Sequence, residues 1–285
     1  MPSVQRLTGD RLHLQHGPID VVLRAWGPPD AVTLAEAAAV ARFQTVLDEL
    51  VVELPSLRRA ADPATPPRGT IARAMHAACL PHAARGVFVT PMAAVAGAVA
   101  DALLAAMQDA APGLTRAFVN DGGDIAVLPG AGLDIGLAAS PQPGTGFDGA
   151  LHLRAADGIG GVATSGRHGR SFSLGIADAV TVLAATAAAA DVAATLIANA
   201  VDVASPAIAR RPAYGLDPDS DLGARLVTTE VGALTTNEID AALETGAAFA
   251  ESCFRAGLIR AAALRLRGQL RLAGAGFPQL TESQP

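Results

Sequence analysis

The stretch Thr115-Arg116-Ala117-Phe118-Val119-Asn120-Asp121-Gly122-Gly123-Asp124-Ile125-Ala126-Val127-Leu128 reads as a β-hairpin. Thr115 to Val119 and Ile125 to Leu128 have the length and apolar content of short strands, and Asp121-Gly122-Gly123 between them signals a tight turn. Downstream, Leu133 to Ala138, Ala150 to Arg154, Ser171 to Gly175 and Ala179 to Ala184 continue an antiparallel pattern. Upstream, Ile19 to Arg24 alternates weakly as a strand. Val40, Phe43, Leu47, Leu50 and Val51 recur at helical spacing, which predicts an amphipathic helix over Ala31 to Arg59. A second helix runs from Gly69 to Leu80, where Pro81 is read as its end, and a third runs from Pro91 to Asp109. Ala187 to Val201 is an alanine-rich helix, and Ser205 to Leu222 is a loop rich in Pro and Asp. Thr236 to Leu258 is the last helix, capped by Thr236 or Asn237, and Ala261 to Leu272 alternates as a final strand. Strands and helices come in clusters without regular βαβ alternation, so the fold class is α+β.

Composition narrows the function. The 285 residues are 51% hydrophobic and 17% charged, with mean hydropathy +0.34, which excludes a disordered chain and leaves ample material for a core. The net charge of −6 lacks the basic footprint of a nucleic-acid binder. All 21 basic residues are arginine, so lysine Schiff bases and a P-loop lysine are excluded. Cys79 and Cys253 match no metal or redox spacing. The N-terminal segment has no apolar run of the signal-peptide kind. Val87 to Met107 is apolar, but it is rich in alanine and glycine and contains Asp101, so it reads as a buried helix and not a membrane span. The expectation is a soluble, cytoplasmic protein.

Three segments are able to carry chemistry. In Asn120 to Asp124, two glycines at a strand end admit a ligand close to the backbone, flanked by the polar Asn120 and Asp124; the plainer reading is a hairpin turn. In Gly160-Gly161-Val162-Ala163-Thr164-Ser165-Gly166-Arg167-His168-Gly169-Arg170, Thr164 and Ser165 would donate to a phosphate that Arg167 or Arg170 neutralises. The plainer reading there is a glycine-rich loop. His168 is a candidate base or ligand, whereas His13, His16, His76, His82 and His152 have no ligand spacing. In Ala190-Asp191-Val192-Ala193-Ala194-Thr195, Asp191 and Thr195 share a helix face and form a hard-oxygen pair suited to Mg²⁺ or Ca²⁺. The plainer reading makes Asp191 a cap and has Thr195 bond back to a carbonyl.

Together these segments resemble the ApbE family, the FAD:protein FMN transferases, and most of all a group of shorter ApbE-like proteins. Asn120-Asp121-Gly122-Gly123-Asp124 is similar to the family's N-x-G-G-D turn, Ala163-Thr164-Ser165-Gly166 to its A-T-S-G loop, and Ala190-Asp191 with Thr195 to its A-D-x-x-x-T helix. Gly97 and Asp101 parallel its K-G-x-x-x-D helix, with Ala96 in place of the lysine. The family's H-I-x-D-P-x-T-G segment is shortened here to Ser173 to Asp178. The resemblance covers about Pro91 to Val201 of a single two-lobed domain. It implies an ApbE-like, T-fold-related arrangement of antiparallel sheet and long helices. It further implies Mg²⁺ at Asp191 and Thr195, with FAD or a related nucleotide held by Asn120, Gly122, Gly123, Asp124, Thr164, Ser165 and Gly166. Asp178 and His168 are the candidate proton acceptors.

Two functions follow from that resemblance. One is a Mg²⁺-dependent transferase or hydrolase acting on a flavin or related nucleotide. The other is a non-catalytic carrier of a flavin or small heterocycle, with homo-oligomerisation compatible, that has lost FMN transfer. The partner in either case is a small molecule, not a nucleic acid or a membrane.

Overall fold

A computed structural model describes residues 2–137, 149–277 and 280–281, so Ala138, at the end of one predicted strand, lies outside the described residues. The chain divides into two units. The first comprises 1–133, 153–163 and 184–192, and the second 134–152, 164–183 and 193–285.

In the first unit, β1 (Ser3–Leu7), β2 (Arg11–His16), β3 (Ile19–Trp26), β4 (Arg116–Asp121) and β5 (Asp124–Leu128) form an antiparallel sheet in that order. Helices α1 (Pro29–Leu57), α2 (Thr70–Ala83) and α3 (Val95–Ala110) are inserted between β3 and β4. Leu14, Val21, Leu23 and Val119 alternate onto one face of the sheet and are buried, as are Phe43 and Val46 of α1 and Leu103 and Met107 of α3. Pro81 lies inside α2 instead of ending it. Losing one N–H costs a single rung, and Ala84 and Arg85 still donate to the carbonyls of Leu80 and His82. The predicted third helix exists, and its first turn, Pro91–Ala94, is 3₁₀. Pro91–Ala110 is long and apolar enough to cross a membrane, and half of that apolar window is buried within the fold.

The chain leaves and re-enters this unit through β6 (Leu133–Leu137), β7 (Gly149–Leu153), β8 (Gly161–Ser165), β9 (Ala179–Ala184) and α4 (Ala187–Ala200). Unit boundaries fall inside β8, after Ala163, and inside α4, after Val192. Gly161 and Val162 of β8 pair with Ala126 and Ile125 of β5.

The second unit adds β10 (Ile208–Pro212), β11 (Leu226–Val231), α5 (Thr236–Arg255), β12 (Ala261–Leu266), β13 (Gln269–Gly274) and β14 (Leu280–Thr281). Strands β9, β12 and β13 are antiparallel neighbours, and α5 packs on β12 and β13. Several sequence expectations are corrected here. Ser171 to Gly175 is not a strand: the Leu174 amide donates to Asn199 Oδ1, and a Cβ on Gly175 would stand 2.2 Å from the Ala198 carbonyl oxygen. That segment is spent on the C-terminal end of α4. The Ser205–Leu222 loop contains β10, paired with β11. The cap of α5 is Thr235, whose hydroxyl accepts from the Glu238 amide while the Glu238 carboxylate accepts from the Thr235 amide. Ala261 to Leu272 is two strands, reversed at Arg267-Gly268, where both φ angles are positive.

Candidate functional site

The hairpin of the opening stretch forms as read. Asp121 pairs with Asp124 across Gly122 (φ 64°) and Gly123 (φ 116°), and Asn120 Oδ1 accepts from the Gly123 amide at 2.8 Å. Asn120 therefore locks the turn from inside. Asp121 is buried and its Oδ1 accepts from the Asp20 amide at 3.3 Å.

Asp191, in the second turn of α4, is the focus of this unit. Its side chain is buried in an apolar helix, and Oδ2 accepts from the Gly97 amide at 3.0 Å. Burial pushes its carboxyl well above the ordinary carboxylate range. The charge of Asp124 adds to this, the Gly97 N–H opposes it, and Asp121 and Asp101 push further upward. The groups acting on Asp191 are thus three carboxylates and one amide. Cys79 feels the same charge: burial first, then Asp191, raises its thiol to about 12, and its S–H donates to the Thr90 carbonyl at 3.4 Å. Asp101, one turn after Gly97, accepts from the amides of Ala187 and Ala188 at 3.0 and 2.9 Å. Burial raises the Asp101 carboxyl and those two bonds hold it down.

The second unit holds the other predicted residues. Thr164 Oγ is 2.9 Å from Thr181 Oγ across β8 and β9. Thr195 donates to Ser165 Oγ in a long contact of 3.5 Å. Gly166 sits at φ 154°, where an added Cβ would be 2.5 Å from the Asp178 carbonyl oxygen. Arg167 Nε donates to Asp178 Oδ1 at 2.9 Å, its amide donates to the Ala177 carbonyl at 2.9 Å, and His168 Nε2 lies 3.4 Å from the same Asp178 oxygen. Asp178 Oδ2 accepts from the Arg267 amide at 2.5 Å, while the Arg267 guanidinium donates to the carbonyls of Val231 and Gly232. Asp178 is therefore filled by an arginine, an imidazole and an amide.

The charge of Asp124 in the hairpin turn acts on Asp191, while Thr164, Ser165, Gly166, His168, Asp178 and Thr195 lie in the second unit. Sequence reading had no role for Cys79 or Arg267, and placed Gly97 and Asp101 by resemblance alone. A charge inside the apolar α3 was the available signal for Asp101. Among the described residues, no group of three or more His, Cys, Asp and Glu is arranged to hold a metal ion. Mg²⁺ does not require one: it commonly takes one or two carboxylates and completes its shell with water and phosphate oxygens. The buried Asp191 is an oxygen donor of the kind such an ion takes.

Comparison with known proteins agrees with the motifs. The chain is 38% identical over 148 residues to a UPF0280 protein of Methanothrix thermoacetophila, covering 51% of this chain and 60% of that relative. It is 36% identical over 172 residues to a UPF0280 protein of Methanosphaerula palustris, covering 60% of this chain and 69% of that one. The chain thus spans less than two thirds of the Methanothrix relative. Among solved structures, it is similar to apo flavinyl transferase ApbE of Pseudomonas stutzeri at 14% identity, 97% coverage of each chain and a TM-score of 0.43. For an ApbE protein of Thermotoga maritima the identity is 14%, the coverage 88% of this chain and 77% of that one, and the TM-score 0.40. The family model described as AbpE bacteria matches residues 4–272, nearly the whole chain, and the protein belongs to that family.

Proposed function

We propose that this protein binds FAD or a related nucleotide diphosphate together with Mg²⁺. The observation that carries the reading is Asp191: a buried carboxylate whose neighbours include three further carboxylates, an environment that a divalent cation relieves. Asp191 and Thr195 would hold the ion, which when bound withdraws charge from a scissile phosphate. In the first unit, the turn Asn120, Gly122, Gly123 and Asp124 would position the nucleotide. The choice of flavin rests on the ApbE-type motifs and family membership.

In the enzymatic form of this reading, an acceptor hydroxyl or water attacks the FMN-side phosphorus. The phosphoanhydride bond breaks, AMP leaves, and the proton of the attacking group passes to His168, which Asp178 orients. The non-catalytic reading is favoured by one observation: Asp178 is engaged by Arg167, His168 and the Arg267 amide, an arrangement that anchors side chains. Incubation with FAD and Mg²⁺, followed by chromatography, separates the two. FMN and AMP signal hydrolysis, and flavin bound covalently to added protein signals transfer. Flavin fluorescence quenching without either product signals a carrier. Absence of FAD binding, with and without Mg²⁺, overturns both.

A further inference from the structure

Helices α3 and α4 meet within the first unit through two polar contacts that mirror each other. Gly97 N donates to Asp191 Oδ2, and Ala187 N and Ala188 N donate to Asp101. In each helix the donor lies in the first turn and the acceptor four residues later: Gly97 then Asp101, Ala187 then Asp191. First-turn amides have no intrahelical acceptor, so each helix supplies the cap that its neighbour lacks. Among the described residues, neither helix is capped by its own N-cap residue at these amides: Ala94 makes no side-chain cap bond, and Thr186 Oγ accepts from the Ala189 amide. Each carboxylate, Asp191 buried and Asp101 half-buried, also sits at the positive end of the other helix's dipole. The close approach depends on Gly97, where a Cβ would stand 2.3 Å from the Ala187 carbonyl oxygen and 2.7 Å from the Ala188 nitrogen. The amide donors at Ala187 and Ala188 are occupied by Asp101, so the start of α4 is closed to a ligand phosphate.

We infer that Gly97 and Asp101 form a reciprocal clasp with α4 and that Asp101 is a positioning residue, setting the depth and direction of Asp191 without being a ligand itself. Its bearing on Mg²⁺ rests on the function proposed above; the clasp does not. A local cap and a clasp differ in one measurable way. If Asp101 only caps α4, its loss frees Ala187 and Ala188. If the two ends act together, its loss also frees Gly97, on the other helix.

Native-state amide hydrogen exchange on wild type and Asp101→Asn tests this, with Asp191→Ala as the reverse probe. In Asp101→Asn, exchange at Ala187, Ala188 and Gly97 is expected to accelerate at least tenfold over the remaining amides of α3. In Asp191→Ala, which removes the acceptor of the Gly97 amide, acceleration at Gly97 is expected to extend to Ala187 and Ala188. Acceleration confined to the substituted end, or uniform across the unit, overturns the clasp. Calorimetric Mg²⁺ titration of the folded Asp101→Asn protein, with and without FAD, completes the test. A wild type that binds and a variant at least tenfold weaker support positioning, and equal affinities refute it. A wild type that does not bind refutes the proposed function, and the exchange pattern alone then decides the clasp.

Discussion

Asp191 and Asp178 are carboxylates of the same chain in opposite surroundings. Asp178, in the second unit, is matched by the Arg167 guanidinium, the His168 imidazole and the Arg267 amide. Asp191, in the first, has the Gly97 amide as its hydrogen-bond donor and three carboxylates acting against its charge. Charge matching anchors a segment; charge excess in a buried place leaves a deficit that a cation or a proton fills. On the function proposed above, the contrast separates a residue that holds the fold from one that would take a ligand, although the sequence presents both as an Asp beside alanine.

The largest effect that would break this comparison lies at Asp178. Asp178→Ala removes the acceptor of Arg167 and of the Arg267 amide. Breaking a fully buried pair costs about 3–5 kcal/mol, and the one-fifth exposure of both side chains reduces this to roughly 2–3 kcal/mol. A fall in melting temperature of about 4–12 °C is expected by circular dichroism. An unchanged melt would show that Asp178 anchors nothing.

Asp191 is expected to respond with the opposite sign. Its folded carboxyl titrates above the ordinary 3.8. A carboxyl raised in this way binds its proton more tightly when folded. Its favourable contribution is therefore complete below 3.8 and is lost as pH rises through the raised value. Without divalent ions, the charge on Asp191 is a burden at every pH above that at which the buried carboxyl ionises. Asp191→Asn keeps an acceptor for the Gly97 amide and removes the charge, and is expected to gain about 1–2 kcal/mol, or roughly 2–8 °C, in EDTA. It should also flatten the pH dependence above 3.8. Adding 10 mM Mg²⁺ (about the concentration that saturates a millimolar site) should raise the wild-type melt and leave the variant unmoved. A variant that melts lower than wild type in EDTA at neutral pH would make Asp191 a purely structural cap.

What the sequence made legible follows from how local each signal is. The Asp121 to Asp124 turn was readable because two glycines between strand-forming residues admit few other conformations. The hairpin at Arg267-Gly268 was hidden, because the alternation of Ala261 to Leu272 continues through it and an arginine at φ 50° is uncommon. Strand β1 is exposed on both faces but for half-buried Leu7 and leaves no apolar period to detect, whereas β2 carries one in the alternating, buried Leu12 and Leu14. At the site, Asp191 stood out as a charge in an alanine-rich helix. Its partner did not, because the donor is a backbone amide of Gly97, 94 residues away, and amides leave no mark in a sequence. The same holds for Asp101, whose acceptor role on Ala187 and Ala188 is set by the packing of two helices.

The smallest effect concerns Cys79, whose thiol reports on the charge of Asp191. The thiolate is the reactive form, and a thiol raised to about 12 is ionised to roughly one part in ten thousand at pH 8. Cys79 and Cys253 are both buried, so steric access is closed as well. Iodoacetamide at pH 8, followed by peptide mass spectrometry, should therefore label neither cysteine except through unfolding. In Asp191→Asn the charge contribution disappears while burial, the larger cause, remains. Labelling of Cys79 should then change by less than about threefold. A tenfold acceleration at Cys79, with Cys253 unchanged and the melt preserved, would mean that the charge of Asp191 outweighs burial at Cys79. The charge excess around Asp191 would then be larger than its neighbours' burial implies, and the contrast with Asp178 correspondingly sharper.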